Sequence, residues 1–170
     1  MIQIRTGVFE TNSSSTHSIC ISSERSRSLD YPSIVHFSCK HFGWEEARLD
    51  SPDEKASYLY ASILDMFDKN DAEEAKNKIF EYLSEEGIEC EFDEPVYDLF
   101  SGTYFISNAG VDHVGEGEHA DFVEAVLHSK KRLLRYLFSP NSYVLTGNDN
   151  SDTDVSIHAN YSHEEYHKGN

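Results

Sequence analysis

The residues best able to do chemistry fall in three polar stretches. The first is Thr11-Asn12-Ser13-Ser14-Ser15-Thr16-His17, which places an amide, a run of hydroxyls and an imidazole side by side. A serine hydroxyl is a weak nucleophile until an adjacent base takes its proton, and His17 is the base close to Ser14 in sequence. Nothing in the spacing makes the strand-to-helix elbow of a G-x-S-x-G nucleophile. The same residues therefore also read as a turn whose hydroxyls satisfy nearby backbone groups. The second stretch carries Asp112, His113, Glu116, Glu118 and His119 among three glycines. Hard carboxylate oxygens with imidazole suit Mn²⁺, Mg²⁺ or Zn²⁺, which makes Asp112, His113, Glu116 and His119 the candidate metal ligands. No standard ligand spacing is present, and a solvated acidic loop feeding a helix is the plainer alternative. The third stretch holds Asp149, Asp152 and Asp154. It has the composition of a Ca²⁺ loop but not the distant Glu of an EF-hand. Asp149 is the member that could join Asn12, Ser14 and His17 in a catalytic set, since carboxylates at strand ends are common in active sites.

Two further patterns are weaker. His36, Cys39 and His41 are three scattered ligand types without a fourth, and they read as packing and surface groups. His163-Glu164-Glu165-Tyr166-His167 matches H-E-x-x-H, which on a helix would set two imidazoles on one face. It lacks an apolar stripe to bury such a helix and is read as part of a polar, poorly ordered tail over residues 158–170.

The string Val8-Phe9-Glu10-Thr11-Asn12-Ser13-Ser14-Ser15-Thr16-His17-Ser18 resembles the N-terminal signature of a group of small phage and Firmicutes-type bacterial proteins with no assigned activity. The likeness covers this stretch and extends to residues 139–150. It implies a mobile-element or host-cell setting and carries no catalytic residue over.

The chain has 170 residues, with ten Phe, ten Tyr and one Trp to fill a core, so a folded domain over residues 1–157 is expected. No run approaches the length of a membrane span, and no signal-peptide apolar region opens the sequence, so a cytoplasmic protein of the host cell is expected. Cys20, Cys39 and Cys90 are odd in number and widely spaced, which points to reduced thiols rather than a disulfide framework or a structural zinc. The net charge is −17, from 31 acidic and 14 basic residues. Such a field repels phosphate backbones and draws basic partners inward. The one local exception is Lys130, Lys131, Arg132 and Arg135, which also fits simple compensation of a helix C-terminus.

The elements that must position these groups follow from periodicity and caps. Alternation predicts strands over residues 2–9, 16–22, 34–37, 88–92, 103–107 and 143–146. Ile19 and Ile21 are expected on one face of their strand, with Ser18, Cys20 and Ser22 on the other. Ser51-Pro52-Asp53-Glu54 carries an N-cap, a proline at the first helical position and the Glu of a capping box, and so starts a helix. Asn70 is expected to cap a second helix, with Gly87 as its stop. Residues 121–138 form a third helical region with Ser129 at a break. The expected class is α+β: a mostly antiparallel sheet with about three helices packed on one side.

Two functions are compatible with these features. The first is an acidic, non-enzymatic binding or inhibitor protein of mobile-element type, acting on a basic host protein that handles nucleic acid, such as a defence nuclease or CRISPR effector. Direct nucleic-acid contact is expected only through the Lys130–Arg135 cluster, and no cofactor is required. The second is a small metal-assisted hydrolase or nucleotide-processing enzyme that gathers the Asn12–His17 loop with the Asp and His loops.

Overall fold

The computed structural model describes residues 15–22, 31–43, 47–100, 103–112, 116–148 and 164–169. Its first element is strand β1 (Ser15–Ser22), which pairs antiparallel with β9 (Tyr143–Asn148) on one side and with β10 (Glu164–Gly169) on the other. Strand β4 (Ala47–Leu49) adds to the far side of β9, giving a four-stranded antiparallel sheet in the order β10-β1-β9-β4. β1 is an inner strand, and every residue from His17 to Ser22 is buried. Both faces of the strand are covered, so Ile19 and Ile21 are buried on one and Ser18, Cys20 and Ser22 on the other.

Within the stretch 158–170 expected to be a polar tail, Glu164–Gly169 form β10, while residues 158–163 and 170 lie outside the described residues. Glu164 to His167 are extended and hydrogen-bonded to β1, in the register Ser22↔Glu164 to Ile19↔His167. An antiparallel ladder is held by backbone groups and needs no apolar stripe, so periodicity did not reveal it. The helix that the H-E-x-x-H reading requires is absent over these residues.

Helix α1 (Pro52–Met66) is the centre of the molecule. Ser51 accepts a hydrogen bond from the Glu54 amide, and the Glu54 carboxylate accepts one from the Ser51 amide at 3.0 Å, completing the capping box. Ten consecutive residues, Lys55 to Leu64, are buried. A helix enclosed on all sides cannot show a polar face, so Lys55, Ser57 and Ser62 are inside with the apolar residues. The two serines satisfy themselves within the helix: Ser57 Oγ donates to the Asp53 carbonyl and Ser62 Oγ to the Tyr58 carbonyl. Helix α2 (Lys69–Ser84) follows. Its cap is Asp68 rather than Asn70, since the Asp68 carboxylate takes the amides of Asn70 and Asp71. It ends at Gly87, whose φ of +75° favours glycine, while the Ile88 amide reaches back to the Leu83 carbonyl.

Strand β2 (Ile34–Phe37), which precedes β4 and the two helices, pairs in parallel with β5 (Glu89–Phe92), which follows α2. A second parallel pair joins β3 (His41–Phe42) to β8 (Gly110–Val111). Between β5 and β8 the chain forms an antiparallel hairpin of β6 (Tyr97–Phe100) and β7 (Thr103–Ile106). Helix α3 (Glu116–Leu127) and helix α4 (Lys130–Phe138) complete the fold, with Ser129 as the N-cap of α4. The class is mixed α+β. Two details of the expectation are corrected among the described residues: the expected third helix is two, giving four, and the expected sheet is divided among one four-stranded and three two-stranded sheets. The break falls at Ser129 because its hydroxyl takes the Arg132 amide and starts α4 afresh.

Candidate functional site

β3, the end of α1, β8 and parts of β4, β7 and β9 surround a cleft of about 670 Å³. The backbone that shapes it is the β3–β8 ladder, where the Gly110 amide donates to the Lys40 carbonyl and the Asp112 amide to the Phe42 carbonyl at 2.8 Å. Its lining includes His41, Phe42, Leu49, Asp65, Ile106, Gly110, Val111, Asp112 and Thr146.

The polar groups of this cleft are held in defined states. His41 Nε2 lies 3.1 Å from the Ser107 carbonyl oxygen. A carbonyl only accepts, so Nε2 carries a proton, and in the neutral ring Nδ1 is an acceptor. A methyl group placed on Gly110 would sit 3.4 Å from His41 Nδ1 and 3.6 Å from Asp65 Oδ1. The two acceptors therefore flank the space above the glycine. Asp65 is exposed at its surface, yet partial desolvation by its neighbours raises its pKa from the ordinary value, and Asp112 adds to the rise, against the opposing pull of the Val111 N–H and His41. On the opposite wall, a methyl on Gly43 would meet Asp112 Cβ at 2.6 Å, so only glycine allows this close approach.

His17 lies beneath this cleft. Its Nε2 is 3.1 Å from the Asp112 carbonyl oxygen, and its Nδ1 is 3.2 Å from the Tyr58 hydroxyl. The proton is thus on Nε2, and the Tyr58 O–H donates to Nδ1. Burial holds the His17 pKa below its ordinary value despite the Asp112 carbonyl and carboxylate. Tyr58 is fully buried, and burial holds its hydroxyl protonated. Phe42 and Phe122 meet the Tyr58 ring edge-on at 5.3 and 5.8 Å. His17 is thus a neutral, hydrogen-bonded interior histidine that ties β1 to the turn after β8.

The expected catalytic and metal sets are only partly described. Asn12, Ser14, His113 and Asp149 lie outside the described residues. Glu116 and His119 are in the first turns of α3, and their side chains are likewise outside the described set. Asp112 lines the cleft, and His17, which is not among the lining residues, reaches the Asp112 backbone carbonyl. Among the described residues, no group of three or more His, Cys, Asp or Glu side chains is placed to hold a metal ion. The trio His36, Cys39 and His41 is dispersed: His36 pairs with Glu91 at 2.9 Å, the Cys39 amide donates to Asp93, and His41 faces the cleft. Sequence reading passed over Asp65 because it stands near the end of α1 just past a run of buried residues, and the partners that give it meaning are some 24 and 45 residues away.

Two surfaces flank this site. The β6–β7 hairpin pairs with no other described strand. Its residue Leu99 is 60 % exposed, and Val96, Tyr97 and Phe105 are about half exposed. Alternation puts Tyr97 and Leu99 on one face and Phe105 with Asp98 on the other. Ile106, at the end of the hairpin, lines the cleft. The basic cluster of α4 lies elsewhere. Lys130 bridges Glu85 and Glu86 at 2.9 and 2.7 Å, and these two carboxylates hold its pKa well above the ordinary lysine value. Arg132 donates to the Ala125 carbonyl near the C-terminus of α3. Two of the four cations are thus engaged within the fold, and Lys131 is exposed.

Comparison with protein-family models, with curated proteins and with solved structures gives no match for this chain. Among the described residues, no helix is long and apolar enough to cross a membrane.

Proposed function

We propose that this protein is an acidic, non-enzymatic binding protein that engages a basic, nucleic-acid-handling partner through the β6–β7 hairpin. The observation that supports it is the setting of the exposed apolar hairpin. It belongs to a segment, residues 79–129, that contains thirteen acidic residues and neither Lys nor Arg. Glu89, Glu91, Asp93, Glu94 and Asp98 are exposed on and beside the hairpin. Large exposed apolar side chains in a chain segment rich in exposed carboxylates suit a partner surface that offers an apolar contact bordered by Lys and Arg. The carboxylates then steer the encounter, and the aromatic residues anchor it. The outer edges of β6 and β7, which pair with no other strand among the described residues, add backbone donors and acceptors on which a partner strand can pair. The resemblance at residues 8–18 to phage and Firmicutes-type proteins supports a mobile-element inhibitor in a host cytoplasm, with a defence nuclease or CRISPR effector as one form of target.

The test is affinity capture from bacterial lysate by wild type and by a Tyr97→Ser, Leu99→Ser, Phe105→Ser variant, with each captured protein then purified and titrated. The reading expects basic, nucleic-acid-associated proteins whose affinity falls in the variant and with added salt. Captured proteins that are neither basic nor nucleic-acid-associated, or binding unchanged in the variant, would overturn it.

One observation favours a second reading, a small enzyme centred on the cleft: His17 and Asp112 come together beside His41 and Asp65. In that case His41 Nδ1 and Asp65 would exchange protons with a bound substrate. A rise in thermal stability with a phosphoester or nucleotide that disappears in Asp65→Asn supports it, and the absence of any such rise across a panel removes it.

A further inference from the structure

We infer that the cleft between β3, β8 and the end of α1 receives an arginine side chain of the partner protein. This rests on the reading of the molecule as a partner-binding protein and assigns it a specific contact. Two polar atoms, His41 Nδ1 and Asp65 Oδ1, lie 3.4 and 3.6 Å from the position a methyl on Gly110 would take. In the neutral ring His41 accepts there, since its other nitrogen donates to the Ser107 carbonyl. A ligand between two acceptors must bring donors, and one beside a carboxylate is favoured if it is a cation. A guanidinium supplies several donors in one plane, so it can serve both acceptors together. Asp65 forms no ion pair with a described Lys or Arg, and Asp112 adds a second negative charge to the lining. The remaining walls, Phe42, Leu49, Ile106 and Val111, are apolar and suit the three methylenes of an arginine stem. Ile106 also ends the exposed hairpin, so a partner lying on that hairpin has the cleft within its footprint.

The test is titration of isotope-labelled protein with N-acetyl-arginine amide, followed by amide chemical shifts. Saturable shifts are expected at Phe42, Gly110 and Val111. N-acetyl-citrulline amide, which keeps the shape without the charge, should bind about tenfold more weakly or worse. Asp65→Asn keeps an acceptor for the Val111 amide but removes the charge, and should weaken arginine binding by a similar factor. Gly110→Ala fills the space between the acceptors and should abolish the shifts while the rest of the spectrum is unchanged. Absence of saturable cleft shifts, or equal binding of the citrulline compound, overturns the inference. Binding of agmatine without binding of the arginine amide also overturns it, by assigning the cleft to a free small amine. If the cleft fails these tests while the Tyr97, Leu99, Phe105 variant still loses captured partners, only the cleft assignment falls. If partner capture fails but the arginine amide binds as described, the site is real and the partner-binding reading is what falls.

Discussion

Replacing Lys55 by methionine separates the cost of an interior charge from the value of the bonds it makes. Lys55 is 1 % exposed, and its Nζ donates to the Ser142 carbonyl at 2.9 Å and the Ser139 carbonyl at 3.2 Å. Burial lowers its pKa from 10.5 to about 8, against the opposing pull of Asp50, Cys20 and Glu54. The unfolded chain therefore holds this proton more tightly than the folded one. At neutral pH both states are charged, and the folded state bears a penalty of about 3 kcal/mol from that difference. As pH rises through about 8 towards 10.5, the folded lysine loses its proton first and the penalty disappears. Methionine removes the charge but strands the Ser142 carbonyl, at a cost of about 1–3 kcal/mol, while the Ser139 carbonyl keeps the Ser142 amide at 3.1 Å. Near neutrality the two effects offset, and wild type and Lys55→Met should differ little in unfolding free energy. With rising pH, wild type should gain about 3 kcal/mol relative to the variant. Urea unfolding followed by circular dichroism at a series of pH values measures this difference, and other titrating groups cancel in the comparison. A difference that stays flat through the window would refute the assignment of Lys55 as a buried charge.

Other substitutions probe the site and its supports. His17→Leu removes the acceptor for the buried Tyr58 hydroxyl and should destabilise by about 1–3 kcal/mol in denaturant melts. The His17 pKa is lower in the folded than in the unfolded chain, so its contribution is complete above 6.5 and is lost as pH falls below it. Wild type should accordingly lose stability in acid relative to His17→Leu, and parallel acid profiles would contradict the buried neutral ring. Ser51→Ala deletes the α1 cap and should cost about 1 kcal/mol by the same melts. Gly43→Ala forces a methyl against Asp112 Cβ and should cost about 1–3 kcal/mol, with amide shifts centred on the turn after β8.

Local chemistry made several elements legible. The α1 capping box, the break at Ser129 and the stop at Gly87 each depend on a few neighbouring residues, and each is found where the residues place it. What was hidden depends on distant partners. β10 is made of polar residues and gains its place from backbone pairing with β1. The interior position of Lys55 follows from the carbonyls of Ser139 and Ser142, supplied more than 80 residues later. Asp68 displaced Asn70 as the α2 cap because either residue type suits the position and only the geometry of the turn decides. The cleft was the least legible part, since His41, Asp65 and Gly110 come from three separate elements and none has a spacing pattern. Concentration of acidic residues around an exposed hairpin also required knowing which apolar residues remain outside.

The central claim is that carboxylates and exposed aromatic residues of the β6–β7 hairpin act together on a basic partner. Calorimetric titration of a purified captured partner, at low and at raised ionic strength, tests it most directly. The account predicts that wild type binds with an affinity that falls as salt is added, and that the Tyr97→Ser, Leu99→Ser, Phe105→Ser variant loses most of that affinity at either salt. Affinity indifferent to both salt and the hairpin substitutions would contradict it.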